Sequence, residues 1–155
     1  MGKAISLDTA AVVTQTSKRT IQRRLSDGTV TRQDNDNEGR TMLIFEDIVP
    51  MLCVPVASED YELFVEADAG DAEAQNDLAL LFLDAEKPEI SLHWLKMAAD
   101  QSHSDAMHNL SKLYIKGIGT PKDNSTGLMW LAKAASVGHI IANQQITALT
   151  RARKA

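Results

Sequence analysis

"WLKMAADQSHSDAMHNLSKLY", Trp94 to Tyr114, and "WLAKAASVGHIIANQQITALT", Trp130 to Thr150, repeat one pattern. Trp94 falls on Trp130, Leu95 on Leu131, Ala98 and Ala99 on Ala134 and Ala135, Ala106 on Ala142 and Leu110 on Ile146, a period of 36 residues. A fixed period of this length is the signature of stacked helical hairpins, each of which buries too little by itself and is completed by its neighbour. Upstream, "AEAQNDLALLF" sets Ala74, Leu78, Leu81 and Phe82 over Ala106, Leu110, Leu113 and Tyr114 at a period of 32. The shortfall lies in the loop, where "DAEKPEIS" stands in place of "KGIGTPKDNSTG". One step further back, "YELFVEADAG" lies over "HWLKMAADQS", so a degenerate helix is expected ahead of the first clear repeat. The spacing predicts helices over 59–69, 72–84, 89–101, 104–116, 124–137 and 140–153. Small residues at Ala98, Ala99, Ala134 and Ala135 let neighbouring helices approach closely, and both tryptophans are expected in the core between them.

These residues resemble the Sel-one-like repeats, a branch of the tetratricopeptide-type hairpins. Their pattern runs Ala-x3-Leu-Gly-x2-Tyr-x2-Gly-x-Gly, a polar loop, then Trp-x3-Ala-Ala-x2-Gly. The second unit carries Ala106, Leu110, Tyr114, Gly117, Gly119, Trp130, Ala134, Ala135 and Gly138, and departs at Ser111 where the family has Gly. The first unit lacks both loop glycines and has Phe82 for the Tyr. The resemblance implies a scaffold that binds a protein or peptide, with a homodimer through the repeats as a further expectation.

Ahead of the repeats, "IVPMLCVPVASED" marks a junction, because Pro50 and Pro55 cannot share one regular helix. Before it the chemistry changes. "SLDTAAVV" reads as a short helix capped by Ser6, with Leu7, Ala11 and Val12 on one face. "TQT" forms a turn, Ser17 caps a second helix over Lys18 to Ser26, and Asp27-Gly28 ends it. Ile21 and Leu25, four apart, face the first helix, and Arg19 and Arg23, also four apart, point the other way. "TVTRQ" and "TMLIF" are strand-like runs around "DNDNEGR", which reads as a hairpin.

Ser17, Thr20, Ile21, Arg23, Asp27 and Gly28 resemble the second helix of MerR-like and excisionase-like winged helix-turn-helix domains. That resemblance implies duplex DNA as a partner. On geometry and side-chain chemistry, Arg19, Gln22 and Arg23 are expected to read base edges, and Ser17, Lys18, Thr20, Arg24, Arg32 and Arg40 to hold phosphates. The wing tip departs from a phosphate-gripping wing in carrying Asp34, Asp36 and Glu38.

Charge supports an uneven division of labour. The net charge is -5, which excludes a protein that coats nucleic acid with its whole surface. Yet residues 1–45 hold seven Lys and Arg against five acids, so the excess of acid lies in the remainder. With 44% hydrophobic residues and 5% aromatics the composition favours helices over an aromatic-rich sheet. Cys53 stands alone, which excludes an intrachain disulfide and points to a reducing, cytoplasmic setting, and no run approaches a membrane span. His103 and His108, five apart, lie on different helical faces, and no Ser or Cys has a base partner, so no metal, cofactor or catalytic site is expected. The sequence therefore predicts a mainly α protein: a small winged helix-turn-helix domain over 1–56, then a short α-solenoid of helical hairpin repeats over 57–155. The expected function is a DNA-binding transcriptional regulator or accessory factor whose repeats bind protein. The alternative is an adaptor whose winged segment is an interaction surface without DNA binding.

Overall fold

The computed structural model describes residues 2–154, and the outermost residues of the two expected domains, 1 and 155, lie outside them. The chain forms two compact units, Met1–Asp71 and Ala72–Ala155.

In the first unit β1 (Ala4–Ser6) leads straight into α1 (Leu7–Thr14), because Ser6 accepts the Thr9 N–H at 3.2 Å and so caps the helix. Gln15, left-handed at φ 53, turns the chain toward α2 (Lys18–Ser26), where Ser17 accepts the Thr20 N–H at 3.1 Å. β2 (Arg32–Gln33) and β3 (Met42–Ile44) pair antiparallel as the expected hairpin, and β1 adds to the other side of β3, giving the order β1-β3-β2. Sequence reading missed β1, whose three residues are too short to show a period of two. It also turned α1 the wrong way: Thr9, Ala10, Val13 and Thr14 are buried, whereas Leu7, Ala11 and Val12 are only partly covered. The reason is that α1 must meet both α2 and the sheet, which moves its buried stripe.

After α3 (Phe45–Ile48) and a turn through Pro50, α4 (Tyr61–Asp68) completes this unit. Phe64 is fully buried, with its ring 5.0 Å from Phe45, and Tyr61 meets Phe45 edge-on at 5.2 Å. The expected boundary at 56/57 thus differs from the observed division at Asp71/Ala72. The helix expected to open the repeats instead supplies core to the first unit, and its repeat-like spacing reflects helical amphipathicity alone.

The second unit is α5 (Ala72–Asp84), α6 (Pro88–Asp100), α7 (Ser104–Lys116), α8 (Asn124–Ser136) and α9 (Ile140–Lys154), each within a residue of its expected span. Helices adjacent in sequence are adjacent in space, as a solenoid requires. The repeat positions form the core: Leu78, Phe82, Leu95, Ala98, Ala106, Leu110 and Ala134 are all fully buried. Gly127 lies directly against α7. A Cβ there would lie 2.5 Å from Ile115 Cγ1 and 3.1 Å from the Ser111 carbonyl oxygen, so only glycine allows α8 to lie this close to α7. Among the described residues no helix is long and apolar enough to cross a membrane.

Candidate interaction surfaces

On the first unit, α2 buries Ile21 completely and leaves Arg19, Gln22, Arg23 and Ser26 exposed. With Ser17 and Thr20 these side chains line a shallow polar concavity of about 430 Å³ that contains no acid. The cap geometry holds its rim, since the Ser17 and Thr20 hydroxyls lie 3.0 Å apart in a mutual hydrogen bond. Five of the nine expected DNA contacts are therefore gathered on one face.

The other four lie elsewhere. Lys18 reaches Asp8 at 2.7 Å across an exposed surface. Arg24 is partly buried and its Nε has no hydrogen-bond partner among protein atoms. Arg32 donates to Asn35 Oδ1 at 3.0 Å near the start of the loop between β2 and β3.

Arg40 is committed to structure. Its Nε donates to Asp36 at 2.6 Å, and its Nη1 reaches the Asp68 carbonyl at 3.0 Å and carboxylate at 3.4 Å. Desolvation opposes ionisation of Asp36, but the hydrogen bonds from Arg40 outweigh it and hold the carboxyl below its usual range. Asp68 is buried and also accepts from the Ser6 N–H at 3.0 Å and from the Ser6 and Thr9 hydroxyls, each at 2.5 Å. This cluster ties the loop between β2 and β3, β1, α1 and α4 together. A guanidinium so engaged is a pin between elements, and it is not available as the free phosphate contact expected of it.

On the second unit the two tryptophans differ. Trp94 is fully buried, whereas Trp130 is partly exposed with Lys133 Nζ 4.6 Å above its ring. The core place expected for both is thus met by Trp94 and corrected for Trp130. A groove of about 510 Å³ lies between α7, α8 and α9, lined by Ile115, Leu128, Leu131, Ala148 and Leu149 with Asn124 and Gln145.

The histidines have structural roles that sequence reading missed. His103 Nδ1 accepts the Ala106 N–H at 3.2 Å, and His139 Nδ1 accepts the Ala142 N–H at 3.1 Å. The signal was present, since the two are one 36-residue period apart. His139 then stacks on His108 at 4.4 Å, with its Nε2 3.1 Å from Asp105, while His108 Nε2 lies 3.0 Å from Gln145 Oε1. Desolvation depresses the His108 pKa, and it outweighs the opposing bond to Gln145. No group of three or more His, Cys, Asp or Glu suited to a metal occurs among the described residues.

Comparison with known proteins addresses the repeats. Residues 72–103 and 104–139 match the family model described as Sel1 repeat. A Sel1 repeat protein from Oxalobacter formigenes, known from its crystal structure, is similar at a TM-score of 0.54 and 31% identity. The similarity covers 57% of this chain and 38% of that one. No curated protein matches the chain.

Proposed function

We propose that the chain is a protein-interaction adaptor whose Sel1-like repeats receive a protein partner. The observation that carries this reading is the open apolar groove of α7, α8 and α9, lined by Ile115, Leu128, Leu131, Ala148 and Leu149. Exposed apolar patches with polar surroundings mark association sites in soluble proteins. A photo-crosslinking residue placed at Leu128 or Leu149 of the full chain, and at exposed Glu73 for comparison, tests it in cells. Discrete protein adducts should form from the groove positions and not from Glu73. Absence of adducts from every repeat position would sink the adaptor reading.

A second reading concerns the first unit. The acid-free face of α2 supports binding to duplex DNA, with Arg19, Gln22 and Arg23 toward base edges and Ser17 and Thr20 toward phosphates. Lys18 and Arg32 stay accessible as auxiliary backbone contacts. Joined to the repeats, such a unit makes the chain a transcriptional accessory factor that brings its protein partner to a DNA site. Selection from random duplexes with the full chain should enrich a motif. Arg19→Ala with Arg23→Ala should weaken binding to it by about 1–3 kcal/mol per base-reading arginine, with unchanged melting. Equal affinity of variant and parent would remove DNA and leave α2 as a protein-facing surface.

A further inference from the structure

Helices α8 and α9 expose Leu128, Met129, Ile140, Ile141 and Leu149, with Ile140 73% accessible. Of these, Leu128 and Leu149 line the groove of α7, α8 and α9, whose wall is apolar apart from Asn124 and Gln145. Basic residues predominate along α8 and α9. From Asn124 to Lys154 every formal charge is positive, namely Lys133, Arg151, Arg153 and Lys154, with no Asp or Glu. Lys116 adjoins the groove residue Ile115, and Arg151 lies one turn beyond Ala148 on α9. Asp123, the nearest acid in sequence, has its carboxylate engaged by the Thr126 N–H at 3.0 Å and hydroxyl at 2.7 Å.

Building on the adaptor reading, we propose that this groove takes an acidic amphipathic helix of another protein. Its apolar stripe enters between α7, α8 and α9, and its carboxylates face Lys116, Arg151, Arg153 and Lys154. Helix-in-groove recognition needs an apolar trough, and complementary charge selects the partner and speeds the encounter. A second copy fits poorly. Groove against groove sets positive charge against positive charge, and the exposed large apolar residues outside 128–149 are the scattered Leu80, Met97 and Ile118 among the described residues. An anionic bilayer fits poorly too: the site is concave, and residues 57–105 carry thirteen acids against Lys87 and Lys96.

The test is fluorescence anisotropy with the full chain and a labelled helical peptide bearing Leu at i, i+3, i+4 and i+7 and Glu elsewhere. Two control peptides carry Lys for Glu, or Ser for Leu. The Glu/Leu peptide should bind at least about tenfold more tightly than either control. Its affinity should fall several-fold between ~0.1 and ~1 M salt, as the Debye length shrinks from about 10 to about 3 Å. Leu149→Asp, and separately Arg151→Glu with Arg153→Glu and Lys154→Glu, should each weaken it at least about tenfold with an unchanged melting temperature, because these side chains are exposed. Leu80→Asp should leave it unaltered. Equal binding of the Lys peptide, no binding of any peptide, or Leu149-dependent binding to phosphatidylserine vesicles in place of peptide would each overturn the proposal. A cellular crosslink from other repeat positions that survives Leu149→Asp would also overturn it while leaving the adaptor reading intact.

Discussion

Trp94 and Trp130 hold the same place in successive repeats and differ in what lies over them. Deleting a fully enclosed indole removes its transfer free energy and leaves a cavity, whereas deleting a partly exposed one leaves a dent that water fills. Trp94→Ala should therefore destabilise the second unit by about 3–5 kcal/mol. Trp130→Ala should cost far less: the covered part of the ring and the cation–π contact with Lys133, of about 0.5–1 kcal/mol. Denaturant melts followed by circular dichroism compare the two directly. Equal losses would mean that Trp130 is enclosed in solution, by a partner copy or by rearrangement of α9.

At the scale of the element, α9 is the least secured helix of the repeats. Ala142 is its one buried residue among those described, and its polar anchors are the histidine contacts and the bond from Asn143 Nδ2 to the Ala135 carbonyl at 3.2 Å. His108 faces His139, Lys112 and Asp105 besides Gln145. Because its pKa is depressed in the folded state, the unfolded chain takes up the proton first as pH falls. The stabilisation is then complete above the unfolded value of about 6.5 and declines below it. His93 moves the same way, through desolvation and then Lys96. Amide exchange in α9, corrected for intrinsic rates, should thus quicken on going from about pH 7.5 to about 5.5, within the range where histidine titrates. His108→Gln, which keeps a hydrogen-bonding group without the charge, should lessen that change. A pH response identical in the variant would assign the effect to other groups.

For the whole molecule, the division at Asp71/Ala72 has a direct consequence for fragments. Residues 1–71 include Phe64, which packs on Phe45, and Asp68, which joins Ser6, Thr9 and Arg40. A fragment ending at residue 56 has neither. Loss of a buried Phe alone costs about 3–5 kcal/mol, comparable to the whole stability of a small domain. Residues 1–71 should melt cooperatively, and residues 1–56 should not. A cooperative transition in the shorter fragment would show that α4 is dispensable to the first unit.

Sequence by itself determined what depends on local pattern. The 36-residue period, the 3.6-residue spacing of Leu and Ala, and the caps at Ser6 and Ser17 located the helices of both units, because backbone hydrogen bonding and side-chain burial both repeat along the chain. The exposed face of α2 was legible for the same reason, since Ile21 and Leu25 fix which side is turned inward. What tertiary structure decided is what depends on partners distant in sequence. Arg40 became a pin because folding brings it to Asp68, α4 joined the first unit because Phe64 meets Phe45, and Trp130 stayed partly open although it holds the repeat position of the buried Trp94. A periodic sequence states which residues want covering, and only the fold states which of them are covered.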